Sequence, residues 1–556
     1  MTRDTDLAPV YVPCHDEDDD KDKTKKKRVC TPDPYDSSFA WDGANQLAFR
    51  PLARVFAVDP PGESTNVNAF DEVADSAWYT NRMGSVPYGV EDVARGYCDK
   101  ELDGETAQDG SWPIDQGKPN GFNPGFRVNV PGYGKFMLKT DPAGEGERAT
   151  GATSIATRMY YALGWWAPCD SVVYLKPSYL KLKPGLKVTD NSGVSKNFDE
   201  AMLKKILDGA QHRGELVRMV ASKWLPGRTL GPFTYNGKRG DDPNDVIYHE
   251  DRRELRAAKI LAAWTNHFDS REQNTMDTWM SVDPKNADAS PGYIRHWYID
   301  LGDCFGSQWS EDGISRRLGF SYYLDLQHVS EDFITFGAIE RPWERAVRKG
   351  TFGYFSTRDF VPEDWKGGYG NPAFLRMREH DAAWAARKLA RFRDEHVAAA
   401  VKIGKFTDPE DSDFLIKTMN TRRDIILKRY LRNLSPIGEL KTSATGELCG
   451  IDLARYAHVF DDASFKYGAK VFTGARFAPS GDAPVRAEAD GNLCVTIPHR
   501  APDGGVADGD ASRYVIVDIA NGQAAGVLRA HLYDLGPNKG FTLVGIERPD
   551  GNDPPS

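Results

Sequence analysis

The sequence predicts an α+β chain in which strand-type, helical and again strand-type text follow one another. Up to about residue 225, short aromatic and β-branched runs are cut by glycine turns. From Asp251 onward apolar residues recur at helical spacing, and after about residue 440 short strands are split by Asp-Gly and Asn-Gly turns. The expected division is a charged tail (1–40), an N-terminal extension (41–114), a mostly β lobe (115–225), a mostly helical lobe (226–435) and a small β-sandwich or barrel (436–556).

The chain has 556 residues, 40% of them hydrophobic and 11% aromatic, which is ample for buried cores. A net charge of -10 argues against a broad nucleic-acid footprint, which needs a basic face. No run of 18 apolar residues is present, so no transmembrane segment is expected.

The tail runs from Asp16-Glu17-Asp18-Asp19-Asp20 into Lys21-Asp22-Lys23-Thr24-Lys25-Lys26-Lys27-Arg28, with nothing apolar to bury, and reads as a solvated, disordered arm. The start shows no basic segment followed by an apolar core, so the reading is cytoplasmic, or extracytoplasmic if a leader has been removed. Of seven cysteines, Cys14 with Cys30 and Cys449 with Cys494 are candidate pairs, the latter expected to be neighbours. Buried free thiols are the expectation in a cytosolic protein, and the odd count leaves at least one unpaired. No C-x-x-C pair marks a zinc site.

In the first lobe Gly132-Tyr133-Gly134 reads as a strand-to-strand turn, followed by the strand Phe136-Met137-Leu138-Lys139. Lys139 is a candidate anion-binding cation, with Gly132 and Gly134 a weak cradle. The earlier turn Asn120–Gly125 is the alternative lid. A helix over Thr153–Leu163, closed by Gly164, contains no carboxylate. Leu216–Ser222 reads as a strand broken by Lys223-Trp224-Leu225-Pro226-Gly227.

A helix over Asp251–Asn266 delivers His267-Phe268-Asp269-Ser270-Arg271-Glu272-Gln273-Asn274, and a hairpin of Thr275–Met280 with Tyr293–Ile299 leads to Asp300-Leu301-Gly302-Asp303. Helices are expected over Asn371–Ala400 and Asp411–Leu431, with a break at Ser435-Pro436-Ile437-Gly438. The plain alternative is that His267 and Asp269 cap a helix and Asp300 starts a turn.

The spacing H-x-D-x-x-x-x-N followed by D-L-G resembles the catalytic and metal loops of protein kinases. The chain is similar to the protein-kinase-like superfamily over about residues 115–435, closer to the atypical HipA-type serine kinases because the loop between Asn274 and Asp300 is long. Stretches such as Asn68–Val73 and Leu163-Gly164-Trp165 also resemble a group of large uncharacterised bacterial proteins. The resemblance implies two lobes joined by a hinge, with Lys223 and Leu225 touching the base of ATP. It implies Lys139 on the phosphates, Asp269 as the acceptor base and His267 as a brace. Asn274 and Asp300 would hold Mg²⁺, with Asp303 as an alternate metal carboxylate.

One departure is the helix carboxylate that should fix the strand lysine. Thr153 stands where it would align, so Lys139 must find Glu145, Glu147 or Asp141, or stay unpaired. This keeps open a pseudokinase scaffold that binds nucleotide or a protein partner without turnover. A metal-dependent hydrolase using Asp269, Asp300 and Asp303 is the other alternative. G-x-S-x-G, H-E-x-x-H and P-loop signals are absent from the sequence. The acceptor, protein or small molecule, is not named by any residue pattern.

Overall fold

The computed structural model describes residues 6–18, 24–35, 39–56, 62–102, 104, 107–118, 123–142, 144–189, 194–307, 311–443, 446–473, 477–506 and 511–550. The chain is a mixed α+β protein. Among the described residues, no helix is long and apolar enough to cross a membrane.

The central sheet has seven strands. Its spine is β1 (Trp112–Gly117), β2 (Gly125–Val130), β3 (Gly134–Lys139), β4 (Asp170–Leu175) and β5 (Leu216–Lys223). The order runs β4-β5-β3-β2-β1, all antiparallel, with β5 pairing β3 on one side and β4 on the other. Alternate residues build its core, including Ile114, Phe126, Val128, Phe136, Leu138, Val217 and Met219. Helix α1 (Arg148–Ala162) packs on β4 and β5 and starts five residues earlier than Thr153.

The next core is largely helical. Helix α2 (Arg253–Thr265) is buried almost all round, and the expected hairpin forms as β6 (Thr275–Ser281) with β7 (Gly292–Tyr298). The extension also enters this core through Trp78, Tyr79, Met83 and Val93. The single helix expected over Asn371–Ala400 is three: Pro372–Leu375, Glu379–Ala390 and Asp394–Lys402. One break is held open by Arg423, whose Nη1 donates to the Phe392 carbonyl at 3.0 Å. The helix expected over Asp411–Leu431 is Pro409–Tyr430.

After Ser435 come a four-stranded and a five-stranded antiparallel sheet sharing one core that includes Leu448, Val495, Val517, Ile519 and Leu532. Asp71 ties this part to the helices. Its carboxylate accepts from Arg253 at 2.5 Å and from Arg387 and Arg548 at 2.8 Å each.

Two expectations about the flanks are corrected. The charged segment is not wholly a solvated arm: His15–Asp18 pairs with Lys26–Val29, which sets acids opposite bases, and Cys14 is bonded to Cys30. Cys30 N–H donates to Asp288 O and Arg228 pairs with Glu17, so the hairpin is docked. Asp19 to Lys23 lie outside the described residues. Free thiols, the expectation for a cytosolic protein, are not what forms: the candidate pairs Cys14–Cys30 and Cys449–Cys494 are both bonded, the latter as neighbours directly opposite on paired strands, Cys98 is also bonded to Cys169, and only buried Cys304 remains a thiol.

Candidate functional site

Helix α2 stops because Asn266 adopts the left-handed conformation (φ 53°), which Asn tolerates better than most residues. The chain then turns and His267 N–H donates back to Ala262 O at 2.9 Å. Within the loop, Asn274 Nδ2 donates to Asp269 Oδ2 at 2.8 Å and to its backbone carbonyl at 2.7 Å. Arg271 Nε lies 3.0 Å from Asp269 Oδ1, and Arg271 Nη1 donates to Asp42 at 2.9 Å. Burial pushes the Asp269 carboxyl up to about 6, against the pull of Arg271 and the Asn274 hydrogen bond.

Ile299 N–H donates to Asn274 O at 3.0 Å, which sets the end of β7 beside this loop. Asp300 follows in the left-handed conformation (φ 54°) and accepts a 2.7 Å bond from Lys139 Nζ. Burial alone would raise the Asp300 carboxyl, but Lys139, Lys118 and His267 together hold it well below the usual carboxylate range. For Asp303 burial and the charges of Asp269 and Asp300 act together, and its carboxyl is pushed up to about 8. A bound divalent cation inverts that balance by favouring the ionised form.

His267 is buried with Nδ1 3.3 Å from the Tyr160 hydroxyl of α1, and burial lowers it to about 4. A neutral imidazole wedged between α1 and the loop is suited to bracing.

A cleft of about 260 Å³ is lined by Lys118, Lys139, Lys223, Leu225, Met276 and Asp300 among others, whereas His267, Asp269, Asn274 and Asp303 are not among its lining residues. Four of the residues singled out in the sequence therefore meet in one cavity. The backbone N–H groups of Lys223 and Trp224 are engaged by Cys169 O and Lys135 O at 2.9 Å each, so these two donors do not face the cleft.

Gly132 and Gly134 are not part of this arrangement. They form the β2–β3 turn with positive φ, at the far end of the strand from Lys139, roughly 17 Å away for an extended strand. The β1–β2 turn lies at the correct end, because Gly125 is paired with Lys139. A Cβ on Gly125 would sit 2.3 Å from Leu138 O. Asn120, Gly121 and Phe122 of that turn lie outside the described residues.

The partner of Lys139 is Asp300, not any of the three acids considered. Glu145 pairs with Arg148, Asp141 accepts from Thr150, and Glu147 accepts from Thr407. Arg148, the first residue of α1, donates to Gly302 O at 2.7 Å and Cys304 O at 3.2 Å and so holds the Asp300–Asp303 turn against the helix. Thr153 completes the fit: a Cβ on Gly302 would lie 3.0 Å from its Oγ1.

Four residues here were not singled out in the sequence: Lys118, Arg148, Asp42 and Asp170. Lys118 lines the cleft, donates to Asn123 O at 3.0 Å, and is lowered to about 8 by burial and by Lys139. Each is a lone charged residue with no motif around it, and only the fold assembles them.

Among the described residues, the one set of three His, Cys, Asp or Glu ligand atoms close enough to share an ion is Glu447, Cys449 and Cys494, and its two sulfurs are spent in a disulfide. Asp269, Asp300 and Asp303 do not converge in this way, so they are not a preformed three-carboxylate cage.

No family model, no curated protein and no solved structure matches this chain.

Proposed function

We propose that this chain is an ATP- and Mg²⁺-dependent phosphotransferase of two-lobed, protein-kinase-like architecture, acting on a hydroxyl acceptor. One observation carries the reading: a lysine at the end of a sheet strand bonds the aspartate of the D-L-G turn, in a cleft also lined by Lys223 and Leu225. In this reading Lys139 and Lys118 position the phosphates, and Lys223 and Leu225 flank the base. Asn274 and Asp300 would supply the oxygen donors for Mg²⁺, with Asp303 a further carboxylate nearby. When bound, Mg²⁺ supplies charge neutralisation between the phosphates. Asp269 orients the acceptor hydroxyl and takes its proton, Asn274 and Arg271 fix its carboxylate, and His267 braces the loop.

The three disulfides favour an oxidising compartment over the cytosol for this activity. A second reading, a nucleotide-binding pseudokinase, is favoured by one feature: α1 offers no carboxylate, and Thr153 is packed against Gly302 where one would be needed. The spread of the three acidic residues lends the hydrolase reading less support.

The test is a calorimetric titration of the purified protein with ATP, with and without Mg²⁺, followed by phosphate-transfer assays that include self-modification. Mg²⁺-strengthened binding with transfer is the expected result. Binding without transfer favours the pseudokinase, and absence of binding rejects both.

A further inference from the structure

Lys139 is bonded to the same carboxylate that would turn to a metal, and a second carboxylate within its reach would keep it positioned on the phosphates once that bond is given up. The sheet supplies one. Directly opposite residues on neighbouring strands share a face, and alternate residues along a strand return to it. Ser222 of β5 is opposite Met137 on one side and Asp170 on the other, and Lys139 is two residues beyond Met137. Met137, Lys139, Ser222 and Asp170 therefore project from one face, where Met137, Lys139 and Ser222 all line the cleft.

Asp170 is 1% exposed. The Ser222 hydroxyl lies beside it, but neither carboxylate oxygen is hydrogen-bonded in good geometry among the described residues. The cations whose charges reach it are Lys139 and Arg158, and Arg158 belongs to α1, the helix that lacks an acid. Arg158 is itself held by Ala94 O and Glu101 at 2.9 Å each, while its Nη1 is a buried donor without a hydrogen bond. A buried carboxylate with only the Ser222 hydroxyl beside it, and no ion pair of its own among the described residues, is costly to hold in place.

We propose that Asp170 is the positioning carboxylate for Lys139: when metal takes Asp300, Lys139 swings to Asp170, which does from strand β4 the work that an acid on α1 would do. Asp170 touches neither nucleotide nor acceptor and acts only through Lys139. The inference rests on the phosphotransferase reading of the cleft.

The experiment compares calorimetric ATP affinity in chelator and in Mg²⁺ for wild type and Asp170→Asn. A structure of the wild type with Mg²⁺ and a non-hydrolysable ATP analogue accompanies it. In Asp170→Asn, Lys139 stays on Asp300, so the gain in affinity on adding Mg²⁺ falls by about tenfold or more, the worth of one charge-assisted hydrogen bond, while metal-free ATP affinity changes little. Asp170→Glu, which keeps the charge, restores part of the gain. A merely structural role would weaken both affinities alike. The complex should show Lys139 bonded to Asp170, and it decides the matter if the variant does not fold. A full Mg²⁺ gain in Asp170→Asn, equal loss in both conditions, or Lys139 still on Asp300 in the complex overturns the inference alone. A wild type that binds no ATP overturns the underlying reading and this inference with it.

Discussion

Lys139 Nζ and Asp300 Oδ1 lie 2.7 Å apart across 161 residues of sequence, and this bond joins the end of β3 to the turn after β7. The two side chains both line the cleft but are unequally sheltered, Lys139 at 11% exposure and Asp300 at 37%, so the carboxylate is the more open of the two. Asp300→Asn is expected to abolish the strengthening of ATP binding by Mg²⁺ and to remove transfer. Lys139→Ala should weaken ATP binding by about tenfold, the loss of one charge-assisted bond. Titration calorimetry of both variants checks this, and unchanged Mg²⁺ dependence in Asp300→Asn rejects the metal role.

Asp269→Asn should separate binding from chemistry. The substitution keeps shape and the Asn274 contact but removes the proton acceptor, so Mg-ATP affinity should stay near wild type while transfer falls by about a hundredfold or more. Equal losses in both would assign Asp269 to the metal instead.

The pH dependence follows from the Asp269 carboxyl at about 6. Because burial raises it above its ordinary value, the proton is held to higher pH and the basic form appears only as pH rises through about 6. The profile of kcat/KM, which reports the free protein, should climb below that pH and flatten above it. Arg271 opposes the rise, so Arg271→Met should move the limb to higher pH. A limb that stays in place in this variant would show that another group controls the rate.

Thiol counting tests the redox state. Protein denatured without reductant should react with a maleimide at one cysteine, Cys304, and after reduction at all seven. Breaking Cys98–Cys169, whose ends are 71 positions apart in sequence, should lower stability by about 2–5 kcal/mol in a denaturant titration.

Gly125→Ala is expected to strain the strand pair that carries Lys139, since the new methyl meets the Leu138 carbonyl. A cost of about 1–3 kcal/mol in thermal or chemical unfolding is expected, accompanied by weaker nucleotide binding. Gly132→Ala, with open space around its Cβ position, should leave ATP binding unchanged.

The parts of the site that are close in sequence were legible there. His267 to Asn274 follow a strongly periodic helix, and the alternation that buries Phe136 and Leu138 leaves Lys139 at a strand end. The glycines misled because Gly132 and Gly134 serve a hairpin by the same positive φ that a phosphate loop would use. What links distant strands was not legible: the Lys139 bond to Asp300, Arg148 holding Gly302, and Asp170 under the cleft all depend on sheet register and on where α1 lands. The charged segment was misread for a related reason. Its charge balance across a hairpin and its disulfide exist only once it is folded and docked.

Asp42, from a short helix far upstream, reaches Arg271 in the loop that carries Asp269. The loop that carries Asp269 is thus electrically tied to the N-terminal segment. A chain shortened past residue 60 would not be the same centre with less around it: Arg271 would lose its ion pair with Asp42, and the Asp269 carboxyl would lose one of the acidic neighbours that help it keep a proton. Trimming the N-terminal segment would therefore shift the Asp269 carboxyl itself.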